Sequence, residues 1–320
     1  MRKEFPALRW IGTPSTLNGE EYYFATWTGI SGDVFYRNCA GADFTTFTDE
    51  WVNANIRSKG PLGALYPRPC CIHEGDTPTF LGLIDNGLAG AMSPAFGGWG
   101  GRYVWRQPRA EPRPFWTQGG DSYPGNDSSR DTVVVEGRSY TSDQATIWRW
   151  RTAFQNDFAA RMDWTIKEPG DANHNPRVVV NGRAGTEPLV LEAQVGTAVV
   201  LDAAGTTDPD GHPLKYTWSF YPEAATGIPG HPVRVRPRPP AGGAAAPPPA
   251  PPSGVPREPP PRLVIENQSG PRATLVPRVP GIAHVILAVE DGGTPRLTSY
   301  RRVVLNMRPA PASEPRPSRR

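Results

Sequence analysis

No stretch of the 320 residues approaches the ~18 consecutive apolar residues a membrane-spanning helix needs, and no apolar run follows Met1-Arg2-Lys3. Neither a membrane span nor a signal peptide is therefore expected in this chain. Cysteine is scarce: Cys39, Cys70 and Cys71 offer no CxxC metal spacing. Adjacent cysteines rarely pair with each other, so at most one bridge is expected, from Cys39 to Cys70 or Cys71, and the redox compartment stays open. Excess charge is scarce too. A formal net charge of +3 over this length gives no electrostatic case for a nucleic-acid partner.

Proline and glycine are abundant instead. The 39 prolines and 34 glycines exceed a fifth of the chain, so part of it must be loop. The length still allows two domains and a sizeable core. The ten tryptophans fall mostly in the first half, where such rings fill a core or stack on flat ligand faces.

The chain is organised around residues 60–88. A turn-rich lead runs into the apolar Cys70-Cys71-Ile72, then His73-Glu74-Gly75-Asp76, then Thr77-Pro78. Pro78 suits a first helical position, and Asp76 or Thr77 can cap the free amides. Phe80, Leu81, Leu83, Ile84 and Leu88 are the apolar positions of the expected helix, which Asn86-Gly87 punctuates. Carboxylates at a helix N-terminus stay ionised and available to a cation or polar substrate. Capping alone also explains them.

Upstream, Thr48 caps an expected helix over 49–56. Downstream, the run Phe96–Tyr103 alternates glycine with aromatics; Trp99, Tyr103 and Trp105 line a wall or pack a loop on the core. Residues 107–131 read as a polar excursion. Over 142–167 the spacing of Ile147, Trp150, Phe154, Phe158, Met162 and Ile166 predicts one helix with a single apolar stripe, opened by a Thr141–Gln144 capping box. Arg149, Arg151, Gln155, Asn156 and Asp157 lie off that stripe, on an expected solvated face.

Residues 169–176 read as a linker, after which the texture turns all-β to residue 308. Short strands between turn signals predict a sandwich. Its turns Asp208-Pro209-Asp210-Gly211 and Glu290-Asp291-Gly292-Gly293 place acids where calcium or simple turn chemistry would want them. Residues 229–261 hold 14 prolines in 33 positions and are expected to form a mobile insert; residues 309–320 form an unstructured tail.

The segments GISGD (29–33), SKGPLGALYP (58–67), HEGDTPTFLGLIDNGL (73–88), GGWGGRY (97–103), TSDQATIWRWR (141–151), FQNDFAARMDW (154–164) and DPDG…YPEA (208–224) together resemble the DUF1593 family. Its members are called cellulose-binding or nucleoside-hydrolase-like proteins. The resemblance implies an α/β fold, the C-terminal part of a nucleoside-hydrolase-like domain over 1–168, followed by an all-β immunoglobulin-like sandwich over 177–308. The family's opening strand and Asp-rich calcium segment have no counterpart before Trp10, so a domain truncated at its N-terminus is expected. Asp76 then stands where the last metal carboxylate, for calcium, would be. Glu74 and His73 stand as catalytic or substrate-binding neighbours, and Trp27 and Trp99 as stacking residues for sugar or base. Implied functions are hydrolysis of N-glycosyl bonds or, alternatively, binding of cellulose-type polysaccharide without catalysis. The implied partners are nucleoside-like or polysaccharide ligands, in an extracellular or periplasmic setting.

Overall fold

A computed structural model describes residues 4–5, 9–12, 42–68, 80–106, 113–118, 129–225 and 262–310. In its N-terminal part, Thr48 Oγ1 accepts from the Trp51 amide at 3.1 Å and so caps α1 (Asp49–Val52). α1 runs directly into a π turn, Asn53–Arg57, and α2 (Gly60–Ala64) follows with Pro61 in its first turn. The helix expected over 49–56 is thus present, widened at its end.

The expected helix through Leu88 is not. Among the described residues only Phe80 and Leu81 are helical before the chain turns. Leu81 and Leu88 are buried, whereas Phe80 is exposed and Leu83 is 72% exposed. The chain leaves the helix because Asn86 and Gly87 are needed elsewhere, against a strand described below.

β1 (Val104–Arg106) and β2 (Phe115–Thr117) pair antiparallel, with Ile11 bridging Trp116. β3 (Asp131–Val135) and β4 (Arg138–Ser142) form a hairpin absent from the sequence reading. Its two-residue loop, Glu136-Gly137, has both φ values positive, at 49° and 77°, the handedness that matches strand twist. β4 absorbs Thr141, whose Oγ1 lies 2.8 Å from that of Thr132, so no Thr141–Gln144 capping box forms. Ser142 Oγ accepts from the Gln144 amide instead, at 3.1 Å.

The single helix expected over 142–167 is two: α3 (Ala145–Trp148) and α4 (Arg151–Trp164). Ile147, Trp150, Phe154 and Met162 are buried as the stripe requires, and Ile166, beyond α4, is exposed. The polar face departs from expectation, because Arg151, Gln155 and Asp157 are buried too. Residues 43–59 wrap that side. The Arg151 guanidinium donates to Asp43 O at 3.0 Å and sits 4.4 Å from the Phe47 ring. Gln155 Nε2 donates to Thr46 O at 2.8 Å, and Lys59 pairs with Asp163 at 2.7 Å.

From residue 177 the chain is β-rich as expected. β5 (Val179–Val180) and β6 (Arg183–Ala184) make a small hairpin. They precede β7 (Leu189–Gln194), β8 (Val199–Asp202), β9 (Lys215–Phe220), β10 (Leu263–Glu266), β11 (Arg272–Pro277), β12 (Gly281–Glu290) and β13 (Thr298–Arg308). Four strands form one sheet, in the order β7-β13-β12-β9, and three form another, β10-β11-β8. Leu201 and Leu275 of the smaller sheet meet Leu189, Val285, Leu287, Val303 and Leu305 of the larger, with Trp218, in one core. β7 and β13 run parallel; the other pairs are antiparallel. The proline-rich residues 229–261 lie outside the described residues.

β13 joins the two parts. β7 pairs only with its Val303–Arg308 stretch. On its earlier half, the Tyr300 and Arg302 amides donate to Asn86 O at 2.9 Å and Gly87 O at 3.1 Å. Gly87 has φ +91°, and a Cβ there would lie 1.9 Å from Tyr300 O. Only glycine permits this approach. Gly87→Ala should lower unfolding stability by about 2–3 kcal/mol, the range of strained backbone substitutions, measured by urea denaturation; an unchanged midpoint would contradict the contact.

Candidate binding cleft

The 86–99 segment is fixed from β13 by one fully buried side chain. Arg302 Nε donates to Leu88 O at 2.7 Å, and its Nη2 donates to Phe96 O at 2.9 Å and Gly97 O at 3.0 Å. Its Nη1 lies 3.1 Å from His284 Nδ1, which therefore accepts. Burial pulls the Arg302 pKa down to about 10, so it remains charged at neutral pH. Burial, then the adjacent guanidinium, pushes His284 down to about 3.

A second polar cluster stands on Asp131 of β3. Its Oδ1 accepts from Arg102 Nε at 2.7 Å; its Oδ2 accepts from Arg149 Nη1 at 3.0 Å and from the Tyr221 hydroxyl at 2.6 Å. Burial would raise this carboxyl, but Arg102 and Arg149 outweigh it and hold it below the usual carboxylate range. Around these polar groups Leu81, Leu88, Trp99, Ile147, Trp150, Phe154, Tyr221, Ile286 and Tyr300 form a core shared by both parts of the chain.

At the seam lies a cleft of about 430 Å³. Ile84, Asp85 and Asn86 line one side, Asp157 and Arg161 of α4 another, and residues 175–178 and 184–186 a third, with Trp99, Ser299 and Tyr300 at the junction. Arg161 Nε donates to Asp157 Oδ2 at 2.6 Å, and its guanidinium lies 5.4 Å from the Trp164 ring. Desolvation dominates at Asp157 and raises its pKa despite the arginine. Asp85 Oδ2 accepts from the Thr186 hydroxyl at 2.7 Å, crossing between the walls.

Of the five site residues that the family resemblance implies, Trp99 alone is described. It reaches the cleft, but only 2% of it is exposed: its ring packs edge-on against Phe154 and Tyr300, and its Nε1 is 3.5 Å from the Tyr300 hydroxyl. Such a ring supports the floor and has no free face for stacking. His73, Glu74, Asp76, Trp27 and the three cysteines lie outside the described residues. Asp157, off the apolar stripe, reads from sequence as a polar site residue or, more simply, as part of a solvated face. Nothing in the sequence marks Arg161, since an i,i+4 charge pair on a helix is common on exposed faces. Of the acidic turns, Asp291 is consumed by structure. Its Oδ1 accepts from the Gly293 and Leu297 amides at 3.0 and 2.9 Å, and its Oδ2 from Asn173 Nδ2 at 2.9 Å. Asp208, Asp210 and His212 instead bring possible ligand atoms within 4.8 Å of one another.

Residues 1–103 match the family model described as cellulose-binding Sde182, nucleoside hydrolase-like domain. Residues 198–307 match the one described as the C-terminal domain of cellulose-binding protein Sde0182. Both parts of the chain match cellulose-binding proteins. The chain is also similar to a solved structure, a nucleoside hydrolase-related hypothetical protein from Saccharophagus degradans, described as associated with carbohydrate metabolism. It is 29% identical with a TM-score of 0.60, over 96% of this chain and 59% of that one. The chain thus spans about three-fifths of that protein's length. A PKD domain from the KIAA 1837 protein (16% identity, TM-score 0.23, 40% of this chain and 88% of that one) is too distant to carry an argument. So is human CDH23 EC21-23 (14%, 0.24, 45% and 35%). No curated protein is significantly similar.

The buried histidine sets a pH dependence. Its folded pKa lies below the unfolded value of about 6.5, so its contribution is present above pH 6.5 and is lost as pH falls toward 3. Unfolding free energy should therefore drop by on the order of 3 kcal/mol between pH 6.5 and 4 from this group. In His284→Gln, whose amide oxygen can still accept from Arg302, denaturation across that range should show a shallower fall.

Proposed function

We propose that the chain binds a polysaccharide of the cellulose class, as single chains held in the cleft, and that it does so without catalysis. The observation that carries this reading is the cleft itself: open, of sugar-binding size, rimmed by an ion pair, amides and hydroxyls, and lined in part by residues 84–99 of one family-matched region and 299–300 of the other. Sugar hydroxyls donate and accept at fixed spacing. The Asp157 oxygen not held by Arg161 is an acceptor for such a hydroxyl, and the Arg161 guanidinium donates beside it. Desolvation of Asp157 makes those bonds stronger than they would be in open water.

A flat crystalline face would need coplanar rings. Trp105 and Trp116, the aromatic pair of the β1–β2 ribbon, meet at 64°, so they present an edge rather than a plane. The cleft is the better fit. Cellulose lies outside cells, and an extracellular or periplasmic setting goes with this reading. The β-rich part, read as an immunoglobulin-like module, supplies a wall of the site.

A second reading, hydrolysis of N-glycosyl bonds, is favoured by the match of residues 1–103 to a nucleoside hydrolase-like domain. It would use His73 and Glu74 for the reacting groups, Asp76 toward calcium, and Trp27 for the leaving base. In that reading, calcium-dependent release of base from a nucleoside should be lost in Asp76→Ala; no release by the unsubstituted chain would end it.

For the binding reading, calorimetry with cellohexaose is expected to show affinity reduced about tenfold in Arg161→Ala, equivalent to one charge-assisted hydrogen bond. Arg161 is 49% exposed, so the fold should tolerate the change. Asp157→Asn should weaken binding similarly while leaving stability nearly unchanged, because the lost ion pair is offset by relief of a desolvated charge. Affinity in both variants equal to that of the unsubstituted chain would overturn the assignment.

A further inference from the structure

We infer that Asp208, Asp210 and His212 form a binding site for one divalent transition-metal ion of the zinc class. The turn that carries them is tightly built. Asp208 Oδ1 accepts from the Asp210 and His212 amides at 3.0 and 2.9 Å, which folds residues 210–212 back over residue 208. That Asx geometry accounts for one carboxylate oxygen and no more. The Asp208 side chain is only 2% exposed, yet its Oδ2 has no hydrogen-bond partner. His212 Nδ1 is likewise shielded from solvent without a hydrogen bond, 3.3 Å from Asp208 Oδ1. A buried carboxylate oxygen and a buried imidazole nitrogen left open in one turn cost stability unless a cation meets them.

The donor set decides which cation. Calcium takes six to eight oxygens, whereas two carboxylates with an imidazole suit zinc and its neighbours. Two carboxylates also balance a 2+ charge. A further residue orients the set: Asp210 accepts from the His174 amide at 2.6 Å and lies 3.0 Å from its Nδ1, while the His174 ring stacks on Trp164 at 6.1 Å. The ion therefore clamps the β8–β9 turn to residue 174. Asn175, Pro176 and Arg177, next in sequence, line the cleft, so metal occupancy stiffens that wall.

The test is calorimetric titration of the chelator-treated full chain with zinc chloride and, separately, calcium chloride. The stoichiometry should include one zinc equivalent that His212→Ala loses, with affinity at that site down more than about a hundredfold, the upper end of what losing even an outer partner costs. Zinc should raise the melting temperature of the unsubstituted chain, and should raise it less in the variant. His212 is 35% exposed on its side chain, so the variant should fold, with circular dichroism as the check. Zinc uptake unchanged by His212→Ala, calcium binding in preference to zinc, or no binding of either ion would each overturn the site.

Discussion

A single guanidinium that pairs with no carboxylate among the described residues holds the two parts of this protein in register. Arg302 is fully buried, and its described partners are three main-chain carbonyls and an imidazole. Removing such a cation from water costs several kcal/mol, which carbonyl dipoles offset only if they are aimed at it. The planar fork of arginine fixes where those carbonyls must stand; a lysine ammonium, donating from one point, could not reach Leu88, Phe96 and Gly97 together. The position of residues 86–99 is therefore dictated from β13. So is the placing of Trp99 against Tyr300 at the base of the cleft.

The Asp131 cluster meets the same constraint from the other side through Tyr221. The tyrosine hydroxyl is held by Asp131, and its ring lies 4.4 Å from the Arg149 guanidinium and 5.7 Å from that of Arg302. At Gly97, whose φ is +74°, a Cβ would come within 2.3 Å of that hydroxyl. A loop carbonyl, a hairpin acid and a ring from the β-rich part thus share one small volume. Apolar residues of similar size could match this stability, since buried ion pairs rarely exceed a packed core in net effect. What the polar version adds is direction. Each donor admits one arrangement of the loop, and a cleft needs its walls in one place.

The sequence was legible where neighbours in sequence are neighbours in the fold. The strands after residue 177 announce themselves by alternation and turn residues, and α1 by its Thr48 cap. The stripe of α4 was visible for the same reason. Its opposite face was not, because Arg151 and Gln155 find their partners at Asp43 and Thr46, more than a hundred residues away. Nothing local distinguishes such residues from solvated ones. The Glu136-Gly137 hairpin is absent from the expected elements although a two-residue loop ending in glycine between Val133-Val134-Val135 and Tyr140 carries a recognisable signal. The helix expected to run to Leu88 failed through competition: the half of β13 that β7 leaves uncovered took the Asn86 and Gly87 carbonyls that further helix would have used.

The cleft is a property of docking rather than of either part. Its residues come from six separated stretches, and neither matched region supplies more than a portion of the wall. Local rules are broken in and beside it: a carboxylate is desolvated at Asp157, and a buried oxygen goes unmatched at Asp208, two residues from a partner of the wall-bordering His174. Sequences tend to relax such violations when nothing requires them, since a neutral or apolar residue at Asp157 would remove the desolvation cost while leaving the helix intact. A buried acid facing an open cleft is consistent with a ligand that completes its hydrogen bonds. The same reasoning makes the arginine lock intelligible, because a site assembled from two parts is only as well defined as the contact that fixes them.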